Sequence, residues 1–214
     1  MDFLEIGYKL ATMFIPFLFA LSVHEFAHGW VAKLRGDRTA EQLGRLTVNP
    51  FAHADPIGTF ALPILSIVSG LPIFFGWAKP VPVDPRYLKS PRIDMFWIAL
   101  AGPASNIIMA VVTALVMGLL AHQFGMGGVM PAAVKMLNAF ILINLFLAVF
   151  NMIPLHPLDG GKVIARFLPA RINNWLEQNE MITGLILMGL IFTGALAILR
   201  WPVMWMHSFL VSWI

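Results

Sequence analysis

The chain has 214 residues, of which 59% are hydrophobic and 12% are charged, with a formal net charge of +3. Because a soluble domain carries about 25% charged residues, this composition excludes an ordinary soluble protein and indicates an integral membrane protein. No basic stripe with interleaved aromatic residues suggests a nucleic-acid partner, and the absence of cysteine excludes disulfides and thiolate metal ligands. At this length we expect one membrane-embedded domain, 1–214, with a motif-bearing core at about 8–168 and a C-terminal helical region over 181–214.

The first apolar stretch, residues 8–32, is long enough to cross a hydrocarbon core of about 30 Å. Basic residues follow it at Lys33, Arg35, Arg38 and Arg45. By the positive-inside rule this end of the helix is cytoplasmic, and the N-terminus is therefore expected outside.

The next apolar stretch, residues 57–77, is interrupted by several prolines and glycines and has basic loops on both flanks. Because both ends are then cytoplasmic, the pattern favours a re-entrant segment over a full crossing. Short extended strands are expected near the site, with residues 43–48 and 78–83 as the candidates.

Three further spans are predicted over residues 93–121, 134–153 and 181–200, and the apolar tail 201–214 is too short to cross as a helix. The uncharged loop 122–133 is expected outside, and the basic residues after the third span place that end in the cytoplasm. The predicted fold class is an all-α integral membrane protein with about four transmembrane helices and a re-entrant segment.

The most informative motif lies inside the first span and reads His24-Glu25-Phe26-Ala27-His28. Residues four apart share one face of a helix, so both imidazoles can reach a single metal ion. Glu25 is close enough along the helix to face a water molecule on that ion. Two imidazoles, a carboxylate base and an open coordination position are the parts of a hydrolytic zinc site, and ionisable groups at membrane depth are rarely without function.

A zinc ion with two histidine ligands usually needs a third protein ligand, and Asp159 is the best candidate. It lies at the cytoplasmic end of the third span, which is also the depth assigned to the histidine pair. Pro154 and Pro157 interrupt the helix before it, and Gly160 and Gly161 allow the backbone to approach closely after it.

Together these motifs resemble the site-2 protease family of intramembrane zinc metalloproteases. The resemblance is carried, in the family's order, by the blocks at 24–28, 101–106 (AGPASN) and 151–161 (NMIPLHPLDGG). The segment 75–83 (FGWAKPVPV) is similar to the small bacterial branch of the family, and no separate peptide-binding domain lies between the motifs. The chain departs from the family at His156, where many members have proline.

The resemblance implies that His24, His28 and Asp159 bind one zinc ion per chain and that Glu25 is the catalytic base. It implies that Asn151 helps to hold substrate or to stabilise the oxyanion. The implied fold is a membrane-embedded helical bundle without disulfides.

Four other polar residues have less defined roles. Asn106 matches a family position whose role is packing and polar support, and Asn144 is interpreted as a packing residue. His53 is either a loop histidine or a residue that supports the site or restricts access to it. His156, three residues before Asp159, is a candidate substitute ligand.

The predicted function is hydrolysis of peptide bonds in or near transmembrane segments of substrate proteins, by a multi-pass membrane enzyme whose site lies nearer the cytoplasmic face. The expected partners are a transmembrane protein or peptide and the lipid bilayer. Alternatives are a membrane zinc protease that cuts juxtamembrane or soluble peptides, a zinc or proton transporter, and an inactive metal-binding homologue. Transport is disfavoured because the ionisable groups cluster at one depth and no inverted repeat is present.

Overall fold

The computed structural model describes residues 3–70, 76–124 and 131–212. Residues 71–75 of the predicted re-entrant segment and 125–130 of the predicted external loop lie outside this part of the chain. The helices in chain order are α1 (Phe3–Arg35), α2 (Thr39–Gln42), α3 (Pro50–His53), α4 (Pro56–Ser69), α5 (Pro91–Phe124), α6 (Pro131–Asn151), α7 (Asp159–Ala165), α8 (Ala170–Gln178), α9 (Glu180–Phe192) and α10 (Arg200–Val211).

Three helices are long and apolar enough to cross a membrane, namely α1, α5 and α6. They contain the predicted spans 8–32 and 93–121 and nearly all of 134–153, so the prediction of these three spans is confirmed. A 34-residue helix such as α5 rises about 50 Å, more than the hydrocarbon core requires. The end of α6 at Asn151 agrees with the break expected before Pro154.

The fourth predicted span, residues 181–200, is not one straight helix. The helix α9 ends at Phe192, Gly194 adopts a left-handed φ of 72°, and the chain turns by 78° into Ala195–Val211. The 13 residues of α9 rise only about 20 Å, short of a core of about 30 Å. The described helices therefore supply three straight spans, or four if the bent pair is taken as one.

The interrupted apolar stretch begins with a helix, and its two described ends lie side by side. Asp55 caps the start of α4, where its side chain accepts hydrogen bonds from two backbone amides. After α4 the chain comes back to the same end, because Trp77 N–H donates to Gly58 O at 3.1 Å and Thr59 Oγ1 donates to Trp77 O at 2.7 Å. This out-and-back path is the outline expected of a re-entrant segment.

The prediction of short strands at 43–48 and 78–83 is wrong, since no strand occurs in residues 3–70, 76–124 or 131–212. A strand needs a neighbouring strand to take its backbone hydrogen bonds. In the second segment two prolines carry no amide hydrogen. The amide of Lys79 instead donates to His53 O at 2.8 Å, and the amide of Val81 donates to a carboxylate on α1.

The helix α5 lies against α1 on one side and α6 on the other, and it also contacts α7. In one core cluster Ala110 and Ala114 of α5 pack with Ile141 and Leu145 of α6 and with Val203 of α10. Small residues on α5 let the neighbouring helices approach closely. This close packing brings polar groups from three helices into one interior.

The surface of the long helices is apolar and part of their interior is polar. Exposed side chains on α5 include Ile108, Leu115 and Leu119, whereas Asn106 and Thr113 of the same helix are buried. Apolar side chains on the outside and hydrogen-bonded polar ones within match a helix bundle whose solvent is lipid. The protein is accordingly a multi-pass membrane protein.

Candidate metal centre

Three side-chain atoms from two distant parts of the chain converge at the middle of the bundle. The Nε2 atoms of His24 and His28 lie 3.0 Å apart. Asp159 Oδ2 lies 3.1 Å from the first and 3.3 Å from the second. All three residues are buried. The structure thus brings together the residues that the sequence singles out as metal ligands.

This triangle has the dimensions of one face of a zinc coordination sphere. Tetrahedral ligands at about 2.0–2.1 Å from zinc lie about 3.3 Å from one another. Asp159 Oδ2 is buried and has no hydrogen-bond partner of acceptable geometry among the described residues, although both imidazoles are adjacent. Lone pairs that converge without a shared hydrogen are the arrangement that a bound cation stabilises, so the residues fit zinc.

The other nitrogen of each imidazole is held by α5. His24 Nδ1 lies 2.6 Å from Asn106 Oδ1, and His28 Nδ1 lies 2.7 Å from the backbone oxygen of Ile98. A carbonyl oxygen can only accept, so each Nδ1 carries the hydrogen and donates it. Each Nε2 is then left with a lone pair facing the centre, which is the tautomer that binds a metal.

The face of α5 behind the histidines is built at four-residue spacing by Ile98, Gly102 and Asn106. The outer two bind the imidazoles, and Gly102 lies between them. A Cβ atom on Gly102 would overlap His28 Nε2 and come 2.6 Å from His24 Nε2. The missing side chain therefore leaves the space beside both nitrogens open. Pro103, inside α5, cannot donate to the preceding turn and loosens the helix at this level.

Glu25 lies beside the metal triangle but outside it. Its ligating oxygen is within 4.8 Å of the two histidine nitrogens, compared with 3.1 and 3.3 Å for Asp159. Glu25 Oε2 accepts a hydrogen bond from Val81 N–H at 2.8 Å. At this separation one water molecule can bridge Glu25 and a metal ion, so the geometry favours Asp159 as the ligand and Glu25 as the base.

Asp159 is presented by a sharp turn between α6 and α7. The first residue of α7 is Asp159, and Gly160 lies directly against the backbone of Met152 and Ile153, where a Cβ atom would overlap carbonyl oxygens. Burial raises the pKa of the Asp159 carboxyl, whereas the two adjacent imidazoles, when they are protonated, outweigh burial and hold the pKa well below its ordinary value. A cation in the middle of the triangle favours the ionised carboxylate for the same electrostatic reason, so the group can act as a ligand.

The centre opens into a cavity of about 540 Å³. Its walls come from α1, α5, the end of α6, the segment 76–83 and the helix α9. Asn151 lines the cavity and uses its Nδ2 group to donate to Leu147 O at 3.0 Å, which leaves a second amide hydrogen. The lining is mostly apolar, and Lys162 of α7 is among its few charged residues. Such a cavity suits an apolar peptide segment with few polar contacts.

The remaining sequence candidates lie away from this cavity. His53 Nε2 is 2.7 Å from Thr47 O and its backbone oxygen accepts from Lys79, so it ties the loops together. His156 is buried, its Nε2 has no hydrogen-bond partner among the described residues, and it does not line the cavity. Asn144, interpreted as a packing residue, is in hydrogen-bond contact with Asn106 at 2.8 Å. The sequence feature that could have indicated this contact is an amide side chain within an apolar span.

Comparison with known proteins gives a consistent family. The family model described as Peptidase family M50 matches residues 12–128 and 126–196. YwhC of Bacillus subtilis, named as an inferred zinc metalloprotease, is 35% identical over 200 residues, covering 92% of this chain and 85% of the relative. Rip2 of Mycolicibacterium smegmatis, named in the same way, is 30% identical over 190 residues, covering 86% of this chain and 67% of the relative. No solved structure matches the chain.

Proposed function

The chain belongs to peptidase family M50 and is a zinc metalloprotease, and we propose that it hydrolyses peptide bonds in or near the transmembrane segments of substrate proteins. One observation carries the proposal. The candidate ligands and base are buried between helices of membrane-spanning length and open into an apolar cavity. A catalytic centre in that position is reached most directly by a peptide that is itself in the membrane.

His24, His28 and Asp159 are the proposed ligands of one zinc ion per chain. The triangle of 3.0, 3.1 and 3.3 Å supports this set. A bound zinc ion would polarise the substrate carbonyl and make a water molecule more acidic. The three protein ligands leave the cavity side open for that water and for the carbonyl.

Glu25 is the proposed general base. Its carboxylate takes the proton of the attacking water and delivers it to the leaving amine. The hydrogen bond from Val81 N–H fixes the position of one carboxylate oxygen. Asn151, which retains a free amide hydrogen at the cavity wall, is proposed to hold the substrate carbonyl as negative charge develops on its oxygen.

A substrate helix must unwind before it can be cut, because its carbonyls are hydrogen-bonded within the helix. The 540 Å³ cavity is large enough for a few residues of peptide rather than a whole helix. The site is proposed to lie nearer the cytoplasmic face, because basic residues follow both α1 and α6.

The metal assignment is tested by the zinc content of detergent-purified protein. We expect about one zinc per wild-type chain and a strong loss in Asp159→Ala, because the carboxylate closes the triangle. Asp84→Ala is the matched control, since it removes a half-buried carboxylate that, among the described residues, accepts only from Arg86 and lies outside the cavity. Equal zinc in wild type and Asp159→Ala would remove Asp159 as a ligand and turn attention to His156.

The proteolytic assignment is tested by mapping new protein termini in membranes from cells that express wild type or Glu25→Gln. Glu25→Gln is expected to keep its zinc and to abolish the termini found with wild type. Termini within apolar spans support cutting inside the membrane, whereas termini only in flanking or soluble segments support the alternative of juxtamembrane cleavage. Cleavage that survives Glu25→Gln would contradict the assignment of the base.

Transport is separated from proteolysis by flux measurements in proteoliposomes. The ionisable groups of the centre lie in one cluster rather than along a path. Zinc or proton flux that persists in Glu25→Gln, without any new termini, would favour a transporter.

A further inference from the structure

We propose that Asn144 on α6 acts through Asn106 on α5 to fix the imidazole tautomer with which His24 binds zinc. The inference rests on the proposed zinc site and adds a positioning residue two hydrogen bonds away from a ligand. Asn144 does not line the cavity and touches neither the proposed base nor the proposed ligands by hydrogen bond.

The two amides form a chain of hydrogen bonds whose direction is set by backbone carbonyls. Asn144 Nδ2 lies 2.8 Å from Phe140 O, and a carbonyl can only accept, so this end of Asn144 must be its donor. Asn144 Oδ1 therefore faces Asn106, and it accepts from Asn106 Nδ2 at 2.8 Å. Asn106 Oδ1 is then left to face His24 Nδ1 at 2.6 Å.

The hydrogen bond between Asn106 and His24 decides which imidazole nitrogen of His24 carries the hydrogen. Because Asn106 Oδ1 can only accept, His24 Nδ1 must donate, and His24 Nε2 keeps its lone pair for zinc. If the Asn106 amide turned over, its NH₂ group would face Nδ1, and the hydrogen of neutral His24 would move to Nε2. A hydrogen on Nε2 occupies the place of the metal.

Without Asn144, little would hold the Asn106 amide in the correct orientation. The other acceptor near Asn106 Nδ2 is Ala20 O at 3.4 Å, which is a long hydrogen bond. Both asparagines are fully buried, and burying an amide in an apolar bundle is costly unless its hydrogen bonds are made. An apolar side chain with the same branching, such as leucine, would be buried at lower cost, so packing alone does not account for Asn144.

The experiment is a chelator competition that measures the zinc affinity of the purified full chain. We compare wild type with Asn144→Leu, and we use Asn138→Leu as the matched control. Asn138 lies on the same helix, and its Oδ1 accepts one interhelical hydrogen bond from His207 Nε2 at 2.6 Å, with no link to the centre. Both variants replace an amide by a leucine of similar size on α6.

Asn144→Leu is expected to weaken zinc binding by about 10- to 100-fold, the usual effect of removing a partner behind a metal ligand. Asn138→Leu is expected to leave the affinity within about twofold of wild type. Equal affinities for Asn144→Leu and wild type, or equal losses in the two variants, would overturn the inference. Absence of zinc from wild type would instead refute the proposed function.

A second pair of variants separates the orientation of Asn106 from packing by Asn144. Asn106→Asp replaces the amide by a carboxylate, in which both oxygens accept and no wrong orientation exists. We therefore expect Asn144→Leu to lower zinc affinity less in the Asn106→Asp background than in wild type. An undiminished loss in that background would show that Asn144 acts by packing and not by orienting Asn106.

Discussion

Both histidines of the candidate centre are constrained at both ring nitrogens. The outer nitrogens donate to oxygens on α5, at 2.6 Å for His24 and 2.7 Å for His28. The inner nitrogens face each other at 3.0 Å and face the carboxylate of Asp159. Two imidazole nitrogens without a hydrogen between them repel each other, so the arrangement is stable only when a cation or a proton lies in the middle.

Gly102 is the residue at which the smallest substitution should have the largest effect on metal binding. An alanine inside a helix is ordinarily more favourable than glycine by about 0.5–1 kcal/mol. In Gly102→Ala, however, the added Cβ would overlap His28 Nε2 and crowd His24 Nε2. We expect zinc stoichiometry well below one per chain, measured by elemental analysis of purified protein.

Gly189→Ala is the control for this prediction, because a Cβ atom at Gly189 meets nothing within 4 Å. It also replaces a glycine inside an apolar helix, and it should bind zinc as wild type does. Full zinc occupancy in Gly102→Ala would contradict the view that this position keeps the metal space open.

At the scale of elements, the non-helical segment 76–83 holds the carboxylate of Glu25, the proposed base. It is held against α4 by the hydrogen bonds of Trp77 to Gly58 and Thr59. It is held against α1 by Val81 N–H, which donates to Glu25 Oε2 at 2.8 Å. The end of the predicted re-entrant stretch and the residues that follow it thus contribute one wall of the cavity, and the placement of this segment should affect catalysis more than metal binding.

Gly58→Ala tests this separation. The new Cβ would overlap the indole ring of Trp77, so the ring and the segment behind it must shift. Because the proposed zinc ligands do not belong to this segment, we expect zinc content to stay near one per chain. The yield of the new termini that depend on Glu25 should fall severalfold. Unchanged cleavage, or loss of zinc together with cleavage, would show that the segment does not act through Glu25.

The predictions of secondary structure were correct where they depend on the composition of a single stretch of sequence. The length and apolar composition of a stretch decide whether a straight helix can cross a membrane. The three spans that correspond to α1, α5 and α6 could therefore be predicted from the sequence. The break after α9 was missed because Gly194 lies within an otherwise continuous apolar run. The strand prediction failed because pairing depends on a neighbour that the segments do not have.

At the scale of the whole molecule, the distribution of basic residues predicts the orientation of the bundle. Lys89 and Arg171 are exposed and belong to segments predicted to be cytoplasmic, whereas Gln123 lies at the exposed far end of α5. The order of the spans places Gln123 on the opposite side from the other two. The site opens near the end of α6, on the side predicted to be cytoplasmic.

The absence of cysteine makes this orientation directly measurable. Single variants Lys89→Cys and Arg171→Cys should react with a membrane-impermeant maleimide in inside-out vesicles, and Gln123→Cys should react in intact spheroplasts. The cysteine-free parent is the background control. Reaction of all three variants from one side, or the reverse pattern, would refute the predicted topology.

The sequence by itself determined the chemistry and the setting of this protein. Composition required a membrane, the spacing of His24, Glu25 and His28 put metal-binding and basic groups on one helix, and Asp159 followed a helix break at the predicted depth. These features depend on residues that are close together in the chain or on properties summed over a segment, so no tertiary information is needed to infer them.

The tertiary structure decided which groups support that chemistry. Asn106, Gly102 and Ile98 contact the histidine pair across 70 or more residues of sequence. Asn144 reaches the pair through Asn106, which lies 38 residues before it. A buried asparagine that packs and one that orients a ligand have the same sequence signature, and only the direction of hydrogen bonds across the packed helices distinguishes them. The bend after α9 is likewise a feature of the assembled bundle that no residue pattern in this apolar run indicates.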